Sequence, residues 1–177
     1  MSIVLQGSTS GSVTLQEPAI AGSTVLDLPA VSGTILTTTS PKAGNVIQVV
    51  SATYSTTTTT TSSSYVTSNI SASITPTSSS SKILIVASVP FQTVANAQAC
   101  LTIYRNNTTD ISSSARGFGE QYGTSEIQAI AGINFLDSPA TTSSTTYTVY
   151  FRALSSTTTR TCPDSTQAVI TLMEIAA

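Results

Sequence analysis

The chain has 177 residues, only 8% of them charged, and a formal net charge of −2; soluble domains average about 25% charged residues. Such a chain has no basic field to hold a phosphate backbone, so nucleic-acid binding is not expected. Histidine is absent, which removes the commonest general base and metal ligand; no metal and no other cofactor is expected. The length suits one domain, which buries roughly 70% of its unfolded surface, plus an extension. Serine and threonine dominate the composition, so solubility rests on hydroxyls rather than charges.

At the N-terminus, Met1-Ser2-Ile3 opens no basic signal region, and synthesis in the cytoplasm without the usual export is expected. Gly11, Gly22, Gly33 and Gly44 then recur every eleven residues, with Ser12/Ser23, Leu15/Leu26, Pro18/Pro29 and Ile20/Val31 in step. The units read GSVTLQEPAIA, GSTVLDLPAVS and a degenerate GTILTTTSPKA. Each combines a β-prone run, a Pro-Ala bend that cannot join a central ladder and a turn glycine. One unit cannot bury its own apolar face, so the repeat predicts an extended arm over 1–45 that packs on copies of itself or on a partner. Leu15, Pro18, Ile20, Leu26, Leu28, Pro29 and Val31 are its candidate docking residues. A flexible linker is the plainer reading, but linkers are rarely so rich in aliphatics at fixed phase.

From Val46 the pattern changes to period-two strands. They fall at 46–54, 65–74, 82–90, 99–105, 126–136, 145–154 and 167–175. KILIVASVP (82–90) is apolar on both faces, as a central strand is. In 126–136, Ile127, Ala129, Ala131, Ile133 and Phe135 share a face. In 145–154, Tyr147, Val149, Phe151 and Ala153 do so. In 167–175, Val169, Thr171, Met173 and Ile175 share one face, while the core is assigned to Ile170 and Leu172 on the other. The remaining core expectation is Ile83, Ile85, Leu101, Ile103, Ile133, Phe135, Val149 and Phe151. The tract STTTTTTSSS (55–64) is β-branched, fitting an edge strand or an arch between strands. The fold class is therefore all-β: an antiparallel sandwich over 46–177, jelly-roll-like, preceded by the repeat arm. The longest Ile/Leu/Val/Ala-rich run, Ile83 to Val89, falls far short of the roughly 20 residues of a spanning helix, so no membrane insertion is expected.

The longest irregular stretch is 106–125, NNTTDISSSARGFGEQYGTS. It is read as a contact loop with Arg116, Phe118, Glu120 and Tyr122 as anchors between glycines; a plain exposed connection is the alternative. Chemistry is sparse elsewhere. Cys100 and Cys162 make no framework and are read as free thiols, although a bridge formed outside the cell stays open. A glycosidase needs two carboxylates facing across a sugar; Asp110 and Glu120 could meet in this loop, but any loop could offer such a pair. No serine lies in a nucleophile elbow, and GFGEQYG lacks the lysine of a phosphate loop. No enzymatic activity is expected, and no catalytic residue is assigned.

Residues 7–36, GSTSGSVTLQEPAIAGSTVLDLPAVSGTIL, resemble a segment common at the start of tailed-phage fibre and other virion surface proteins. Residues 44–89 resemble a second module recurrent in phage structural proteins, and VITLMEIAA (169–177) resembles its closing strand. The resemblance implies a β-rich, often trimeric, non-enzymatic protein of the virion surface, on tail or head. The first expectation is a homotrimeric fibre or adhesin subunit. Its arm would dock on other virion proteins, and its sandwich would meet a host surface glycan or protein. The second is a head-decoration protein, either cement or head fibre. A polysaccharide depolymerase is the third, and the poor acid pair counts against it.

Overall fold

The computed structural model describes residues 3–15, 30, 41–155 and 157–177. Two compact units divide the chain, Met1–Ile35 and Leu36–Ala177. In the first, β1 (Ile3–Gln6) and β2 (Ser12–Leu15) form an antiparallel hairpin, closed by Gly7 N–H donating to Gly11 O at 2.8 Å. Val4, Leu5 and Val13 of this hairpin are 51%, 55% and 61% exposed. Pro18, Ile20, Leu26, Leu28, Pro29 and Val31 of the expected docking arm lie outside the described residues.

The second unit opens with β3 (Val46–Tyr54), β4 (Thr58–Thr60) and β5 (Val66–Ile74). Next come β6 (Lys82–Thr93), β7 (Ala97–Arg105), β8 (Thr109–Asp110) and β9 (Gly119–Gly123). The chain ends with β10 (Ile127–Asp137), β11 (Thr145–Ala153), β12 (Thr159–Thr161) and β13 (Ala168–Ile175). Every strand expected from the sequence is present, and all pairs are antiparallel. The threonine tract supplies β4 as an edge strand beside β12. The stretch 106–125 is not one irregular loop, because β8 and β9 both pair with β7 inside it. Glycines and polar residues hid β9: its inward positions are Gly119, Gln121 and Gly123, which carry no apolar alternation.

Two sheets form a sandwich. In the first the order is β3-β13-β6, with β10 on the other edge of β6. β13 and β12 share one edge of β6 in succession, at Lys82–Ser88 and Phe91–Thr93. In the second the order is β5-β11-β7, with β9 and β8 in succession along the far side of β7. Strict alternation sends Ile83, Ile85, Leu101, Ile103, Ile133, Val149, Phe151, Ile170 and Leu172 into the core, each at most 2% exposed. Phe135 packs against that core and is partly buried. The β13 face that turns inward is Ala168, Ile170, Leu172 and Glu174.

Two polar ties lock the layers. Asp137 on β10 accepts from Arg105 Nη1 of β7 at 3.0 and 2.8 Å and from Tyr147 Oη of β11 at 2.7 Å, so one carboxylate joins the sheets at one end. Glu174 is fully buried. It accepts from Gln48 Nε2 at 2.6 Å and from Thr77 N and Oγ1, both at 2.7 Å. Burial alone would raise its pKa, but the donors led by Gln48 outweigh that and hold the carboxyl below its ordinary value.

Candidate interaction surface

The segment read as a contact loop is built by local hydrogen bonding. Asn106 and Asn107 take left-handed backbone at φ 52° and 57°, the conformation of a tight hairpin turn that asparagine tolerates. Asn106 Oδ1 accepts from Thr146 N at 2.9 Å, which ties the turn to β11. Asp110 accepts from Thr102 Oγ1 at 2.6 Å and from Ser112 N at 3.0 Å, bending the chain back over the sheet. Gly117 then sits at φ +69°, where a Cβ would stand 2.1 Å from Leu101 O; no other residue fits this approach. The fit lets Phe118 N donate to Leu101 O at 2.8 Å.

These constraints sort the four candidate anchors. Phe118 is partly buried against the core, its ring 5.1 Å from that of Phe135. It is a packing residue that fixes the segment. Arg116 and Glu120 pair on the surface, and Gln98 Nε2 also donates to Glu120. The Gln98 hydrogen bond first, then Arg116, holds the Glu120 carboxyl below its ordinary value. Tyr122, two residues along the same face of β9, is 61% exposed. Arg116, Glu120 and Tyr122 are thus together and reachable, while Phe118 points the other way.

Beneath them lies a cluster that sequence reasoning missed. The Arg152 guanidinium stands 4.6 Å over the Tyr65 ring. It donates to Ala115 O and, at 3.4 Å, to Ser63 O, pinning residues 63–65 and 112–118 over the outer face of the second sheet. Tyr65, Tyr104 and Tyr150 stack in series, with centroids 6.2 and 4.2 Å apart. Cys100, in register between Arg152 and Glu120, is completely buried there. The signal was present: Tyr104, Tyr150 and Arg152 occupy outward positions where a solvated sheet face normally carries small polar residues.

Cys100 and Cys162 are free and buried, and burial pushes both thiols up, away from nucleophilic thiolate. Burial likewise pushes Tyr65 up to about 12. Asp110 and Glu120 lie opposite Tyr104 and Cys100 on β7. Four strand residues separate them by roughly 14 Å, beyond the spacing of either glycosidase geometry. Among the described residues no group of His, Cys, Asp and Glu could hold a metal ion. By sequence, the chain matches no protein-family model and no curated protein.

Proposed function

We propose that the chain is a non-enzymatic structural protein of a phage virion surface: a homotrimeric fibre- or adhesin-type subunit with an N-terminal docking segment and an exposed jelly-roll head. The observation that carries this reading is the hairpin of β1 and β2. A two-stranded hairpin is marginal by itself in water, and this one leaves Val4, Leu5 and Val13 open. Such a segment gains stability by docking on another protein, and the resemblance of 7–36 to virion arms names the kind of partner. The jelly-roll reading is supported by strand order. β3, β13, β6 and β10 lie in one sheet and β5, β11, β7 and β9 in the other, so most successive long strands cross between layers. Arg116, Glu120 and Tyr122 are the head's candidate contacts for a host surface glycan or protein. Arginine offers a fork to carboxylates and hydroxyls, and tyrosine offers a flat face.

The test is made on particles. Deleting residues 1–43 is expected to leave a folded β domain that no longer joins virions, and normal occupancy of the truncated protein would remove the docking role. Immunogold labelling is expected at the tail; label on the head makes the chain a capsid decoration protein with the same arm. Replacing Arg116 and Tyr122 by Ala is expected to reduce host adsorption without loss of incorporation. Unchanged adsorption takes these residues out of the receptor contact.

A further inference from the structure

Two surfaces of the sandwich are built as though unfinished. The first is the outer face of the first sheet. Registers align Val49, Met173, Leu84 and Leu136 in one row across all four strands. Val49 and Leu136 are 56% and 46% exposed. That these positions face outward is confirmed one row along, where Ser51 and Thr171 share a hydrogen bond of 3.1 Å on the surface. Lys82 begins the face and Arg160 ends it, and no charged residue stands between them on it.

The second surface is the open edge between the sheets. β9 turns Gly119, Gln121 and Gly123 inward, and β10 turns Ile127, Ala129 and Ala131 toward them. Ile127 packs on Gly123 at one end, but Gly119, Ala129 and Ala131 are too small to close the sandwich beside it. Ala129 faces inward by alternation and is nevertheless exposed. A cavity of about 210 Å³ remains, floored by Phe91 and Leu101, and the Gln121 side-chain oxygen is buried in it without a partner. Beside it the other edge of β10, which has no strand partner among the described residues, carries no proline and no charge between Glu126 and Asp137. Natural sheets blunt such edges unless something pairs with or covers them.

We propose that the two surfaces are halves of one contact between copies of this chain: the aliphatic row of one copy seats on the open β9–β10 edge of the next. Charge selects the occupant. A face without charge is matched by another uncharged surface, and the chain offers one in this edge, where Glu120 is already engaged by Gln98 and Arg116. The outer face of the second sheet, with Arg152 and Asp110, is a poor match. Shape agrees, since aliphatic side chains stand up from the row and small residues hollow the edge. Four strands at about 4.8 Å by six residues at about 3.4 Å give roughly 400 Å². One face-to-edge contact therefore takes roughly 400 Å² from each copy, about half the share of a standard interface, so a single contact is weak and the assembly is stabilised by ring closure, in which every copy makes two. Because the two halves differ, the contact is head-to-tail and closes only as a ring. The inference rests on the homotrimer of the proposed function and assigns its interface.

The test compares the full-length chain with a face variant, Val49→Glu with Met173→Glu, and an edge variant, Ala129→Glu, by sedimentation and native mass spectrometry. The wild type is expected to be trimeric. Each variant is expected to be monomeric at concentrations 100-fold above those at which the wild type assembles, with an unchanged strand signal in circular dichroism. Mixed together, the variants are expected to form a one-to-one heterodimer and nothing larger, since one intact face then meets one intact edge. Variants that stay trimeric overturn the interface and leave the trimer standing. Loss of assembly in the face variant alone overturns it in favour of face-to-face packing. A monomeric wild type overturns the trimer itself. Should glutamate unfold either protein, Val49→Asn with Met173→Gln, and Ala129→Gln, decide the same outcomes.

Discussion

The outer faces of the two sheets are treated in opposite ways. On the second sheet the chain supplies its own cover: Arg152 pins Ala115 and Ser63, tyrosines stack beneath, and Cys100 is sealed in. On the first sheet the aliphatic row from Val49 to Leu136 is left bare although it is the more apolar surface. Among the described residues two segments cover the polar and aromatic face and none covers the aliphatic one, which is the contrast the proposed contact between copies accounts for.

Both faces stand on one core, so the largest effect comes from breaking that core. Phe151→Ala is expected to cost about 3–5 kcal/mol, measured by denaturant unfolding, with cover and bare face lost together. A loss below about 1 kcal/mol would mean that the inward assignment is wrong. Arg152→Ala acts on one face only. It removes the hydrogen bonds to both covering segments and the contact with Tyr65, an expected loss of about 1–3 kcal/mol. Its specific readout is thiol labelling: Cys100 becomes reactive while Cys162 stays protected. If Cys100 remains unreactive in this variant, the covering segments do not depend on the arginine.

Glu174 sharpens the comparison from inside, because it anchors β13, the strand that carries Met173 on its bare side. Its folded pKa is depressed, so its contribution to stability is present above the ordinary carboxyl value near 4.5 and is lost as pH falls through the lower folded value. The wild type is therefore expected to lose stability on acidification below about pH 4.5. Glu174→Gln should be less stable at pH 7 and should lack that component of the acid transition. Parallel pH profiles of the two proteins would argue against the anchor. The smallest effect is expected from Arg116→Ala, which breaks an exposed pair on the surface of the covered side; its denaturant midpoint should match that of the wild type, and a clear shift would give the pair a structural role.

Much of this was legible in the sequence, for physical reasons that also mark where reading stops. Period-two alternation located the long strands because each has one dry face, and it identified Ile83, Leu101, Ile133, Phe151 and Ile170 as core. β8 and β9 escaped because their residues are small or polar and their pairing with β7 is set by backbone contacts such as Phe118 N to Leu101 O. For the same reason Phe118 read as an exposed anchor although it packs on Phe135. The row across Val49, Met173, Leu84 and Leu136 was not visible at all. It exists only through the registers of four strands drawn from distant parts of the chain.

The contrast between a self-covered face and a partner-covered one is tested most directly by hydrogen exchange of the full-length protein across a concentration series. On assembly, amides in 127–137 are expected to slow at least tenfold, while those in 112–118, already held by Arg152 and Leu101, keep their rates. Unchanged exchange in 127–137 in the assembled protein, or slowing confined to 112–118, would contradict the account.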